Sequence, residues 1–312
     1  MAKIAVSVLL IGYLFRETNP ADIGKRIAGA ELSYLLAALA VIAVITPLLG
    51  LRWFLVLKSV GAPLPLRAAV PISYIGMFFG QFLPAAVGSD AIRGWFAYRN
   101  GIGIRAAVTS LLVDRIFGLL ALAFLILASM PVLSDLTNSE VTFAAFAGSA
   151  GIVGATIAGL LVASIPPSFF TRPRILVSLF EFARGVRPGL LSGTAIGTLS
   201  VSVSMHLIYI SAAVLIARAL GVSLSYLEAL AVVAIVTLIS NLPISFNGWG
   251  VREGAMVIGM GYLGVGQGDA LTISILLGLL MAVSVLPGLP VWVVMRTAQP
   301  APGADKATPN AE

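Results

Sequence analysis

Long unbroken apolar runs dominate the chain. Leu32 to Leu57, Ala106 to Met130, Val141 to Ile165, Leu190 to Ala217 and Ala270 to Met295 are each long enough to cross a hydrocarbon layer as a helix. Ile4 to Phe15 is shorter, and as a retained segment it spans only by borrowing flanking residues or tilting. Together these predict about six spans. Two further apolar regions are interrupted. Ala68 to Tyr98 is broken by Leu83-Pro84-Ala85-Ala86-Val87-Gly88-Ser89-Asp90, and Ala229 to Leu263 by Leu242-Pro243-Ile244-Ser245-Phe246-Asn247-Gly248. Proline and glycine inside an apolar run free backbone groups, which a membrane tolerates only where protein or a wet cavity covers them.

The two breaks share a pattern: a Leu-Pro pair, then a glycine (Gly88, Gly248), then an arginine nine residues after the proline (Arg93, Arg252). Interrupted segments at corresponding positions of two halves point to internal repeats with a site between them. Loop charge accommodates two arrangements. If each broken region is a re-entrant hairpin, both termini are cytoplasmic. Lys3, Arg52, Lys58, Arg67, Arg93, Arg99, Arg105, Arg172, Arg174, Arg184, Arg187, Arg296 and Lys306 then face the cytoplasm, against Arg16, Lys25, Arg26 and Arg218 outside. Full crossings give an almost equal bias and put the N-terminus outside. The hairpin arrangement is preferred because it makes the breaks enter from opposite faces.

Composition removes the other fold classes. Hydrophobic residues make up 59% of the 312 and charged residues 10%, with a mean hydropathy of +1.04. A soluble surface needs far more charge, and disorder needs low hydrophobicity. Continuous rather than alternating runs exclude a transmembrane barrel. The expected fold is an all-α polytopic membrane bundle over residues 1–296, followed by a disordered Pro/Ala-rich tail over 297–312. With no cysteine and a single histidine, His206, no metal centre or cofactor is expected. The net charge of +6 belongs to short loops between apolar runs, which implies lipid headgroups rather than nucleic acid.

Ionisable residues inside apolar runs need a partner or a role. Gly88-Ser89-Asp90 with Arg93 offers freed amides, a carboxylate and a guanidinium. Ser89 and the Gly88 amide can cap a half-helix whose positive end attracts an anion, while Arg93 can grip phosphate through two bonds. A structural reading of the same residues is an Asp90 N-cap with a local Asp90–Arg93 pair. In the second break Asn247, Gly248, Trp249, Gly250, Arg252 and Glu253 allow close approach and again offer phosphate recognition, or else form a tight turn with an internal ion pair. Asp114 and Arg115 lie mid-span and point about 100° apart, so they pair with other helices rather than with each other. They line a polar path or brace the bundle. His206 is a proton carrier or an interhelical hydrogen-bond donor. Gly189, Gly193 and Gly197 form a small-residue packing face. Gly259 to Gly264 fits a dinucleotide-binding spacing but lacks the strand that motif needs.

Phe79-Gly80-Gln81-Phe82-Leu83-Pro84 through Gly88, Ser89, Asp90 and Arg93 is followed by Asp114-Arg115, then by Leu242-Pro243-Ile244-Ser245 and Gly248-Trp249-Gly250-Val251-Arg252-Glu253. This series resembles the lysylphosphatidylglycerol synthase transmembrane family, the flippase-like N-terminal region of the multiple peptide resistance factor, in its free-standing form. Ser89 stands where the family more often has glycine. The resemblance implies a bacterial inner-membrane protein that moves phospholipids or lipid-linked intermediates between leaflets. Anionic or aminoacylated phospholipid, or a lipid-linked glycan, would be the partner. No aminoacyl-transferase domain is expected after Arg296, so lysyl transfer is not, and no enzymatic activity is assigned. Headgroup phosphate is expected at Arg93 and Arg252, with Asp90 and Glu253 holding them between substrates. The alternative function is a non-transporting scaffold that anchors a lipid-modifying enzyme or glycosyltransferase.

Overall fold

The computed structural model describes residues 10, 12, 20–81, 88–164, 183–242, 245 and 247–297. The expected first span, the centre of the basic linker, Pro84, Pro243 and the tail beyond 297 lie outside these. Among the described residues the chain is helical throughout, with five stretches long and apolar enough to cross a membrane. These match the five longer runs read from the sequence.

A short helix α1 (Pro20–Ala28) precedes α2 (Leu32–Ala43) and α3 (Ile45–Ser59), which together form the first long apolar stretch. They part at Val44. Pro47 sits in the first turn of α3, where its ring crowds the carbonyl four residues back and its missing N–H costs nothing. Next come α4 (Leu66–Gly80), α5 (Gly88–Arg99), α6 (Ile104–Ala128), α7 (Met130–Leu136) and α8 (Ser139–Val162). Residues 183–190 are helical. The second half contains α9 (Ala195–Ala219), α10 (Tyr226–Ser240), α11 (Val251–Gly261), α12 (Gln267–Ser284) and α13 (Gly288–Thr297).

The two broken regions fold as antiparallel helix pairs. A Cβ on Gly80 would lie 3.0 Å from the Ser89 side chain, and one on Gly76 would lie 2.8 Å from that of Arg93. As the first number falls the second rises, so α5 runs back along α4. In the second half a Cβ on Gly248 would meet Ser240 at 3.5 Å, and one on Gly259 would meet Val232 at 2.6 Å, so α11 runs back along α10. Close approach without a side chain is what these glycines supply. At 15 residues α4 and α10 are about 22 Å long, short of a hydrocarbon core of about 30 Å.

The same unit is built twice. A long helix ends in a left-handed glycine (Gly61, Gly221), and the residue after it donates its amide to a carbonyl one turn back (Ala62 to Leu57 at 3.0 Å, Val222 to Ala217 at 2.9 Å). The hairpin follows. A second glycine turn (Gly101, Gly264) with the same bond (Ile102 to Ala97, Val265 to Met260, both 3.1 Å) then leads into the next long helix.

The copies are inverted. Arg52 on α3 reaches Ser202 on α9 at 3.4 Å, while Leu55 accepts from Thr194 at 3.4 Å, so α3 and α9 are antiparallel. Each leads into its hairpin at its C-terminal end, and the hairpins therefore enter from opposite ends of the bundle. Their tips meet: the Asn247 amide donates to Gln81 Oε1 at 2.9 Å. Each hairpin packs in its own apolar cluster, the first around Trp53, Ile72, Ile75 and Phe96, the second around Ile210, Val233, Met256 and Ile273.

Charge sorts to the ends. Exposed Lys58, Arg67, Arg99, Arg105, Arg184, Arg187 and Arg296 share the end where the first hairpin opens, with no acid among the described residues there. Arg99 and Arg296 stack on Trp95 and Trp292 at 5.0 and 5.3 Å. The other end carries Asp22, Glu31, Asp135, Glu140, Glu228 and Asp269 against Lys25, Arg26 and Arg218. Outward faces are apolar, with Phe143, Phe146, Ile157 and Leu161 on α8 more than half exposed.

Candidate functional site

Where the tips meet, a cavity of about 430 Å³ opens between the two repeats. Ser89, Asp90, Arg93, Asp114, Arg115, His206, Asn247, Gly248, Trp249 and Arg252 all line it. The candidate residues scattered along the sequence therefore share one site. Glu253 does not line the cavity and stands behind Arg252.

The first hairpin's side is an ion-pair network centred on Asp114, which is 1% exposed. Arg52 grips it with a fork, Nε to Oδ1 at 2.7 Å and Nη2 to Oδ2 at 3.0 Å. Arg93 donates to the same carboxylate through Nη1 and Nη2 at 3.1 and 3.2 Å, and to Asp90 at 3.2 Å. Asp90 also accepts from Arg115 Nε at 2.5 Å. Arg93 lies 4.6 Å over the Trp53 ring, which Ser110 fixes through the indole N–H at 3.1 Å. Charge-assisted forks of this kind hold geometry as well as charge.

As expected, Asp114 and Arg115 pair with other helices and not with each other. Two local expectations change. Asp90 lies inside the first turn of α5, with its carboxylate turned to two arginines, so it is not the N-cap. The Ser89 hydroxyl rests on Met77 Sδ at 3.8 Å rather than capping the half-helix.

Arg52 is a third correction. Reading the loops places it with the cytoplasmic charges, but it is buried mid-bundle in this network. Arg93 is buried likewise, and neither can contribute to a loop-charge count. The loop charges among the described residues keep the same asymmetry between the two ends.

On the second hairpin's side Arg252 donates to Glu253 Oε1 through Nη2 at 2.5 Å and Nε at 3.0 Å, and to Ser274 at 3.2 Å. It lies 4.6 Å over the Trp249 ring and also interacts with Tyr209. Glu253 reaches back to the Gly250 amide at 2.6 Å, closing the turn at the start of α11. That turn takes Asn247, Gly248 and Gly250 into the left-handed region (φ 49°, 80° and 86°). Asparagine and glycine enter it at least cost, which is why they stand there. Gly278 makes room for the guanidinium on α12, since a Cβ there would overlap it.

His206 Nε2–H donates to the Gly118 carbonyl at 3.2 Å, the interhelical bond expected of a lone histidine. Gly189 packs against Val113 and Gly197 against Leu55, whereas Gly193 faces open space. Gly259 serves hairpin packing, so the dinucleotide-like spacing has a structural explanation. Among the described residues no group of acids or histidines is arranged to hold a metal ion. Sequence reasoning missed Arg52, Trp53, Gln81 and Tyr209. Arg52 alone had a signal, a charge inside an apolar run.

An all-α bundle of two inverted, hairpin-bearing repeats around a charged internal cavity defines a polytopic membrane protein. The chain belongs to the lysylphosphatidylglycerol synthase TM region family, whose pattern it matches over residues 1–288. No curated protein matches it.

Proposed function

We propose that the chain moves phospholipids or lipid-linked intermediates between the leaflets of a bacterial inner membrane, with its basic end toward the cytoplasm. The observation that carries this reading is a cavity where two opposed hairpins meet, lined by residues that flank both breaks (Gln81, Ser89, Leu242, Asn247) and by both arginines. Opposed short hairpins covering a polar site between inverted repeats suit alternating access. In this reading the hairpins are re-entrant, headgroup phosphate exchanges with the carboxylates on Arg93 and Arg252, and Asp90 and Glu253 take the arginines back afterwards. The family supports a role in lipid handling, and the basic end fits the positive-inside rule. No chemical step is assigned to the chain.

One observation favours the scaffold alternative. Arg93 is 2% exposed and already engaged by two carboxylates, as a structural brace would be. A proteoliposome assay separates the two readings. With the purified chain as the sole protein, a translocator exposes inner-leaflet headgroup-labelled lipid to an added quencher, while a scaffold leaves it protected.

A further inference from the structure

The two repeats line the cavity with different chemistry. Counted from the Leu-Pro pairs, the places of Phe78, Gln81, Phe82 and Ala86 in the first repeat are taken in the second by Thr237, Ser240, Asn241 and Ser245. Thr237, Ser240 and Asn241 are three and four residues apart, which puts them on one face at the end of α10, and all four residues of the second set line the cavity. Residues 229–251 hold no charged side chain. The end of α10 and the turn after it therefore form a neutral, hydrogen-bonding wall beside the charged network.

This wall has acceptors to spare and one donor unmet. The Thr237 hydroxyl donates to the Val233 carbonyl at 2.7 Å, and the Ser240 hydroxyl to that of Val236 at 2.6 Å. Each spends its proton within its own helix and keeps lone pairs for a ligand. The Asn241 amide donates to the Thr237 carbonyl at 2.9 Å, a bond that does not use its amide oxygen. Ser245 is different: it is 2% exposed, and its Oγ is buried with no hydrogen-bond partner. Buried hydroxyls are normally paired. Back-bonding accounts for Thr237 and Ser240 as helix residues, but it does not account for Ser245.

A group that satisfies this wall donates to Thr237 or Ser240 and accepts from Ser245. A phosphodiester only accepts, and would set its oxygens against theirs. An ammonium only donates, so it leaves the Ser245 proton unpaired and brings positive charge into a cavity that Arg252 also lines. A hydroxyl does both. Resting on the lipid-handling reading for the source of the ligand, we propose that this wall is a subsite for the hydroxyl groups of a polyol headgroup, of the glycerol or cyclitol class. Ser245 donates to a headgroup oxygen, and Thr237 and Ser240 accept from its hydroxyls, while the arginines are left to the phosphate. At about 430 Å³ the cavity is in the lower part of the range for small-ligand pockets and takes a phosphate with one such polyol.

Trp249 lines the cavity and stacks on Arg252, so its fluorescence reports binding. The purified chain in detergent is titrated with short-chain phosphatidylglycerol and with short-chain phosphatidylmethanol, which has the same phosphodiester and charge but no headgroup hydroxyl. Phosphatidylethanolamine and water-soluble glycerophosphoglycerol complete the series. Phosphatidylglycerol is expected to bind at least about tenfold more tightly than the methanol and ethanolamine lipids. Ser245→Ala and Thr237→Val should each weaken phosphatidylglycerol about tenfold and leave phosphatidylmethanol unchanged, whereas Arg93→Lys should weaken both alike. Equal affinity of the parent chain for phosphatidylglycerol and phosphatidylmethanol overturns the proposal, whatever the variants do. So does a Ser245→Ala chain that loses both lipids equally. Glycerophosphoglycerol binding as tight as the lipid upholds the hydroxyl rule and removes the lipid as its source. Lipid movement without hydroxyl preference overturns this inference and leaves the translocator standing. Hydroxyl-selective binding without lipid movement does the reverse.

Discussion

Replacing Asp114 with asparagine tests whether the network holds the bundle together. The side chain is isosteric, so packing is preserved, but the amide cannot accept two guanidinium forks. Asp114 takes two bonds from Arg52 and two from Arg93 at 2.7–3.2 Å, and all three residues are less than a tenth exposed. Without that carboxylate Arg52 has only Ser202, and Arg93 has only Asp90, which Arg115 shares. Breaking a buried pair by removing one partner costs about 3–5 kcal/mol. In a chain of this size that corresponds to a fall in unfolding midpoint of roughly 5–8 °C. The assay is the fraction of monodisperse protein remaining after heating in detergent. Asp269→Asn breaks the far more exposed Arg26 pair and is the control, expected within about 1 kcal/mol of the parent. Because the cost lies in the orphaned charge, Arg52→Gln with Asp114→Asn should regain part of the loss. An Asp114→Asn protein as heat-resistant as the control would refute the reasoning.

Arg93→Lys and Arg252→Lys keep the charge but lose the planar fork, and should each reduce lipid movement strongly while the protein still purifies normally. Asp90→Asn and Glu253→Gln should reduce it less, and equal misfolding of all four would favour the scaffold. Gly278→Ala forces Arg252 out of its slot on α12, so transport should fall while the far network keeps its heat resistance. With no native cysteine to interfere, single cysteines at Lys58 and Asn100 should label from the same side of the membrane, and those at Ser134 and Gly266 from the other. Labelling of Lys58 and Asn100 from opposite sides would make the first broken region a full crossing.

The long spans were legible because hydrophobic run length is all that a bilayer asks of a helix. The repeats were legible through Pro84, Pro243, Arg93 and Arg252, since backbone that breaks inside an apolar run has to be covered by protein. The antiparallel return of each hairpin was not, because it depends on Gly76, Gly80 and Gly259 facing Arg93, Ser89 and Val232, which periodicity does not encode. Convergence on one cavity was foreshadowed by the charges inside the spans, but their partners were hidden. Asp114 gave no sign that Arg52, far away in sequence and near Lys58, would be its main ligand. The roles of Trp53 and Gln81 arise only when α3 meets α5 and when the two tips touch.

The central claim is that the hairpin tips meet in the middle of the bundle and that passage runs between them. Cysteines replacing Gln81 and Asn247, whose side chains touch at 2.9 Å, can be joined by a short, cleavable bifunctional thiol reagent. In proteoliposomes the account predicts intramolecular cross-linking, arrest of lipid movement, and recovery on cleavage. Failure to cross-link, or lipid movement that continues at full rate through the cross-linked protein, would contradict it.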